Sequence, residues 1–180
     1  FIIGQGMCAP TMMTFASEDQ KQRYLPKLAS GEEVWCQLFS EPHSGSDLAG
    51  LRTRAEKDGD DWVINGQKIW TSGAQHSEFG ILITRTDPEV PKHRGLTMFF
   101  LDMKSAGVDI RPIKQANGDS GFNEVYFDNV RIPDAQRLGG VGEGWKVSLT
   151  TLMNERLAIG GSITTGFPEI KELVDQLRIA

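Results

Sequence analysis

Between Glu33 and Pro133 the chain is cut into short β-prone runs by turn residues, and that punctuation limits the folds open to it. Val34–Phe39 reads as a buried strand. Further strands are expected at Leu51–Lys57, Phe79–Thr86, Leu96–Met103, Val108–Ile113 and Asn123–Val130. Asp58-Gly59, Asp87-Pro88, Ala106-Gly107 and Asn117-Gly118 separate them. Trp62-Val63-Ile64 and Lys68-Ile69-Trp70 flank Asn65-Gly66, a pairing that predicts a hairpin turn at Asn65-Gly66. Short strands at this spacing predict a compact antiparallel β-barrel or sandwich. No βαβ alternation and no GxGxxG after a strand occur, which argues against a Rossmann dinucleotide site.

Helical patterns flank this block, so the class expected is α+β. Ser17-Glu18-Asp19-Gln20 has the spacing of a capping box, in which Ser17 caps the Gln20 N–H and Gln20 reaches back. The helix it opens should run through Lys21, Tyr24 and Leu28 to Gly31, with Pro26 predicting a kink or an early end. After Gly142-Glu143-Gly144, the recurrence of Trp145, Leu149, Leu152, Met153 and Ile159 predicts a helix with one apolar face. Pro168 suits the first turn of a second helix over Glu169–Arg178. The chain thus divides into a helical block, 1–32, a β-rich block, 33–134, and a second helical block, 135–180.

Charge is spread thinly, with 19 basic against 24 acidic residues, a net of −5 and no basic block. Phosphate-tracking surfaces need clustered Lys and Arg, so nucleic acid is excluded as an expected partner. No apolar run approaches the roughly 20 residues of a membrane-spanning helix, and no signal-peptide pattern opens the chain. Cys8 and Cys36 have neither CxxC spacing nor a nearby His, and read as reduced buried thiols rather than metal ligands.

Two stretches carry chemistry. Gln37–Asp47, QLFSEPHSGSD, is a strand that breaks into a turn of small residues; Gln67–Gly73, QKIWTSG, is a strand carrying Trp70, Thr71 and Ser72. Together they supply an aromatic wall, hydroxyl donors and backbone N–H groups, which a planar, polar-edged cofactor with a diphosphate requires. Trp70 and Ser72, two apart on a strand, should share a face.

This pair of stretches resembles the hallmark of the acyl-CoA dehydrogenase flavoproteins, (T/S)-E-P-x-x-G-S-D followed downstream by N-G-x-K-x-W-x-(T/S). Ser17–Pro26 is similar to the segment leading into that family's middle domain. Val125–Pro133 is similar to its exit strand, and Gly142-x-Gly144-Trp145 to the start of the next helix. His43 and Ser44 stand where a Gly-Ala pair is usual. The resemblance implies FAD and an acyl-CoA thioester, with the α-proton taken by a carboxylate and the β-hydrogen passing as hydride to flavin N5. It implies a trans-2-enoyl product and an electron-transfer flavoprotein as acceptor. The alternatives are a flavin oxidase or monooxygenase of the same fold, and a non-catalytic acyl-CoA-binding module.

On the same template Gln37, Phe39, Ser40, Gly45 and Ser46 line the cofactor, with Ser46 also meeting the thioester arm. Trp70, Thr71 and Ser72 contact the flavin, Ser72 at N5. Glu155, directly before Arg156, fits the minority of the family (isovaleryl- and long-chain-type enzymes) that carry the base on this helix; the Asp expected three positions before Arg156 is replaced by Met153. Arg156 fits the substrate-side Arg. Lys92, His93 and Arg94 read as a solvated basic loop, with CoA phosphate as the alternative. The family's relatives are dimers or tetramers, so a homo-oligomer is implied, as is a bacterial cytoplasmic or mitochondrial matrix location. The segment by itself is expected to be inactive and to hold FAD weakly or not at all.

Overall fold

The computed structural model describes residues 2–160. The helix expected over Glu169–Arg178 lies outside them. A π-type turn, Gly4–Cys8, leads into α1 (Ala9–Phe15), and α2 follows (Glu18–Ser30). Eight strands come next: β1 (Trp35–Leu38), β2 (Arg54–Asp58), β3 (Asp61–Ser72), β4 (Phe79–Arg85), β5 (Leu96–Asp102), β6 (Val108–Ile113), β7 (Phe122–Pro133) and β8 (Arg137–Leu138). Helix α3 (Gly144–Gly160) closes the described chain.

The Ser17–Gln20 capping box is present in both directions, and Gly31 ends α2 at φ 79°, where a left-handed residue leaves glycine the least strained choice. Pro26 does not bring the early end expected of it. Tyr24 and Leu28, on either side of it, are buried against the sheet, and that packing carries the helix on to Ser30.

The strands form one sheet in the order β6-β7-β3-β2-β4-β5-β8, with β1 paired to β4. Pairing is antiparallel except for β1 on β4 and a single β2–β4 bridge. β4 and β5 are buried on both faces, which is why they read as near-continuous apolar runs. Ile81, Ile83, Met98 and Phe100 face the helices, joining Met12, Tyr24, Leu28 and Trp35. Leu82, Phe99 and Leu101 point the other way, onto Trp62, Ile64, Val125 and Val130. Residues from the two halves of one sheet can meet in this way only if the sheet curls over on itself. The Trp62 and Phe99 rings lie 5.4 Å apart across that fold.

Asn65-Gly66 is not a hairpin. β3 runs straight through it, and the tight turn falls earlier, at Gly59 between β2 and β3. Two register breaks punctuate the β3–β7 ladder instead, between Ile64/Gly66 and Lys68/Thr71. The first places an extra residue on β7, at Asn129 with φ 49°; the Asn65 side chain accepts from the Asn129 N–H at 2.9 Å. Gly66, at φ 149°, is needed for closeness, because a Cβ there would lie 2.6 Å from Thr53 Oγ1. Asn-Gly therefore serves a bulge and a close strand contact rather than a turn. Gly66→Ala is expected to cost more than about 1 kcal/mol in urea denaturation of the full-length protein. Gly45→Ala, where a Cβ meets nothing within 4 Å, should leave the midpoint in place.

Helix α3 sits lower on the sheet than its leucines suggest. Gly144, Val147, Ser148 and Thr151 are buried, and of the residues expected on the apolar face Trp145 and Leu152 pack partly buried against the helix-facing cluster while Leu149 and Met153 are exposed. The helix enters close to β5: a Cβ at Gly144 would stand 2.7 Å from the Leu96 carbonyl, so no side chain fits at that position. The Ser148 and Thr151 hydroxyls donate back to the carbonyls of Gly144 and Val147, and Thr151 shares a 3.0 Å hydrogen bond with Thr11 of α1. Cys8 and Cys36 are free and fully buried, and burial pushes both thiols up, Cys36 to about 12.

Candidate active site

The end of β1, the last turn of β3 and the face of α3 enclose a cavity of about 400 Å³, within the range of small-molecule sites. Gln37, Phe39, Ser40, Ile69, Trp70, Ser72 and Glu155 line it, and Ile2, Ile3 and Met7 close it from the helical side. A second cavity of about 290 Å³ adjoins it, sharing Ile2, Ile3 and Ser72. Residues distant in sequence thus converge: Gln37, Phe39 and Ser40 from the first motif, Trp70 and Ser72 from the second, and Glu155 from α3.

Trp70 is the most unusual residue of the group. The second register break gives β3 an extra residue there, with φ 60°, a left-handed conformation that a bulky side chain adopts only under constraint. The bulge takes Trp70 out of the in-out alternation, so Lys68 and Thr71 are both buried while Trp70 is 56% exposed. Its ring meets the edge of Phe122 at 6.0 Å. A strained backbone that presents a large aromatic surface to an open cavity costs folding free energy, and points to something that lies against it.

The floor of the cavity is held by a pair the sequence reading passed over. Lys68 is fully buried; its ammonium donates to Glu41 Oε1 and to the Phe39 carbonyl, each at 2.9 Å. The Ser40 carbonyl accepts from the Ile69 N–H, also at 2.9 Å. Glu41 in turn accepts the N–H groups of Arg52 at 2.7 Å and Thr53 at 2.9 Å. Burial pushes the Lys68 amine down to about 8, against the pull of Glu41. For Glu41 burial acts upward, but the Lys68 charge and the donors around the carboxylate outweigh it and hold the group below its ordinary value. The Glu of the first motif and the Lys of the second are therefore one electrostatic link, and it fixes the two motifs against each other. A Lys on the inward register of an apolar strand was the signal available.

The remaining candidates lie elsewhere. Gly45 and Ser46 sit in the exposed turn after a tight Glu41–Ser44 bridge, and no described residue accepts their N–H groups. Ser44 Oγ donates to the Asp47 carbonyl at 2.6 Å, which braces that turn. Thr71 is buried and does not line the cavity. Arg156 is exposed on α3, next to Glu155. In the basic loop, Lys92 donates to both Asp47 oxygens, at 2.7 and 2.9 Å, and His93 packs against Trp145 at 4.6 Å.

The lining fits a planar aromatic cofactor such as a flavin: the exposed Trp70 ring, with the Ser72 hydroxyl and the Gln37 amide in the same cavity. Comparison with known proteins reaches the same class. The family profile "Acyl-CoA dehydrogenase, middle domain" matches residues 36–130, and "Acyl-CoA dehydrogenase, N-terminal domain" matches residues 1–32. Acyl-CoA dehydrogenase FadE34 of Mycobacterium tuberculosis is 46% identical, over 94% of this chain and 24% of its own. Isovaleryl-CoA dehydrogenase of Pongo abelii is 33% identical over 86% of this chain and 37% of its own. A solved structure named the Tcur3481-Tcur3483 steroid ACAD superposes with a TM-score of 0.87 at 35% identity, covering 97% of this chain and 46% of that one. The chain thus spans less than half the length of each of these relatives. The chain belongs to the acyl-CoA dehydrogenase family, which is flavin-dependent.

Proposed function

We propose that this chain is the FAD- and substrate-binding segment of an enzyme that dehydrogenates an acyl-CoA thioester to its trans-2-enoyl form, with Glu155 as the base. The observation that carries this reading is the placement of the Glu155 carboxylate in the same cavity as Trp70 and Ser72. Bound FAD supplies the two-electron acceptor. The residues of this chain do the rest. Glu155 would take the α-proton, leaving the α C–H pair to form the Cα=Cβ bond, with bound FAD as the acceptor for the β-hydrogen and its pair. Trp70 orients the cofactor plane, and the Ser72 hydroxyl donates where negative charge develops. Ile2, Ile3 and Met7 exclude water, which strengthens these interactions. Ser46 and the N–H groups of the 45–47 turn serve the diphosphate. Arg156 serves the thioester arm. An electron-transfer flavoprotein reoxidises the enzyme, and a homodimer or homotetramer completes the site.

Two relatives bracket the acyl group, one named for isovaleryl-CoA and one for a steroid. Anaerobic titration of the full-length, FAD-loaded protein with short branched, straight-chain and steroid-derived CoA thioesters decides among them. Bleaching of the flavin band is expected for at least one class. FAD held firmly with no bleaching by any thioester would overturn dehydrogenation. Reduced flavin that reacts at once with O₂ would make the enzyme an oxidase.

Among the described residues no helix is long and apolar enough to cross a membrane, and no cluster of His, Cys, Asp and Glu is placed to hold a metal ion.

A further inference from the structure

Gln37 is out of place on its strand. Trp35, Cys36 and Leu38 are at most 2% exposed, and β1 reads as a core element except at this one amide. Gln37 pairs with Ile81, whose side chain belongs to the helix-facing cluster, so an apolar residue at 37 would extend that cluster. Instead its amide crosses to α3 and donates from Nε2 to Glu155 Oε2 at 3.4 Å, joining residues 118 apart in sequence. A polar side chain set among apolar packing costs stability unless it is hydrogen-bonded.

We propose that Gln37 is a positioning residue for Glu155, serving its carboxyl group in both protonation states. This rests on the reading of Glu155 as the base. A terminal amide carries two N–H donors on one side and an acceptor on the other. While Glu155 is ionised, Nε2–H donates to it and holds Oε2 at the cavity edge. Once Glu155 has taken the substrate's α-proton it has an O–H to donate, and a half-turn about the last Gln37 torsion, a soft rotation, brings Oε1 round to accept it. A leucine could do neither, and a carboxylate could do only the second.

The electrostatic surroundings of Glu155 make the test readable. The other residues lining the cavity, from the helical turn, β1 and β3, carry no titratable side chain. On its own helix Glu155 is followed by exposed Arg156, and Lys68 beneath Phe39 is engaged by Glu41.

The experiment uses the full-length FAD-loaded protein and the variants Gln37→Leu, Gln37→Glu and Glu155→Gln. Infrared difference titration follows the protonated-carboxyl band, assigned to Glu155 by its loss in Glu155→Gln. Anaerobic flavin bleaching is measured across pH alongside it. In Gln37→Leu the infrared midpoint and the acid limb of bleaching should move together to higher pH, with the plateau rate down roughly tenfold, the size of a lost hydrogen bond to an ion. Gln37→Glu, of the same size and shape, should move both further in that direction through like-charge repulsion. Its near-identity of shape keeps the test valid should Gln37→Leu fold poorly. Midpoints and limbs in both variants that superimpose on wild type, with Glu155→Gln inactive, would overturn the role of Gln37 and leave the dehydrogenase reading standing. Wild-type bleaching by Glu155→Gln would overturn Glu155 as the base, and the role of Gln37 with it, and leave dehydrogenation itself standing.

Discussion

Replacing Lys68 by methionine should destabilise the full-length protein by about 3–5 kcal/mol, because it strands a buried carboxylate without its counter-charge. Lys68 has no exposed surface, and Glu41 is only 4% exposed. Neither group can turn to water once its partner is gone. The loss should read directly as a fall in denaturation midpoint with little change in slope. Glu41→Gln is expected to be nearly as harmful, since it leaves an ammonium facing an amide and one of the Arg52 and Thr53 N–H groups without an acceptor. The double variant Lys68→Met/Glu41→Gln should recover part of the loss, and the resulting cycle isolates the pair from the backbone bonds Glu41 makes. FAD content should fall with stability in the Lys68 variant, since Lys68 and Ile69 hold the Phe39 and Ser40 carbonyls at the cavity floor. A Lys68→Met protein with wild-type midpoint and full FAD content would show that the pair does not organise the site.

The same pair gives acid stability a definite sign. Glu41 is held below its ordinary value of 4.5 in the folded chain, so the unfolded chain binds more protons as pH falls past that point. The stability contributed by this carboxylate is complete above about pH 4.5 and is lost as pH drops through the lower folded value. A shallower decline over that window is therefore the signature of Glu41→Gln.

Much of this arrangement was legible in the sequence, and the exceptions share a cause. The capping box, the Gly31 stop and most strands were readable because they depend on local propensity and on alternation. Asn65-Gly66 misled because its dipeptide rule assumes a free turn. Here Gly66 answers to Thr53 and Asn65 answers to Asn129, contacts between strands that no local rule contains. α3 was half legible for a related reason: Trp145 and Leu152 pack inward as the pattern implied, but backbone proximity to Leu96 brings Val147, Ser148 and Thr151 to the inner face and leaves Leu149 and Met153 outside. At the cavity, residues of both motifs and Glu155 come together, and each could be picked out by type. What stayed hidden was which groups meet. The link from Lys68 to Glu41 and that from Gln37 to Glu155 depend on the curl of the sheet and the height of α3 above it. The strain at Trp70 was invisible for the same reason, because a bulge is a mismatch between two strands and not a property of either.

Glu155→Gln should cut the rate of flavin bleaching by roughly 10²–10⁴-fold, the usual contribution of a positioned general base. The substitution keeps the volume and hydrogen-bonding capacity of the side chain, so the Gln37 contact, FAD content and denaturation midpoint should all remain near wild type. Glu155→Asp separates position from charge. It keeps the carboxylate but withdraws it by one methylene toward α3, and a misplacement of about 1 Å can cost on the order of 10²-fold. A base acting through geometry therefore predicts that the Asp variant is slow but measurable, with a pH profile of the same form as wild type. A Gln variant that bleaches at the wild-type rate would place the base outside this chain. Glu155 would then be a carboxylate that closes the cavity without reacting in it. The two variants together distinguish these cases without reference to the acyl group, since the comparison is made on whichever thioester the wild-type protein bleaches fastest.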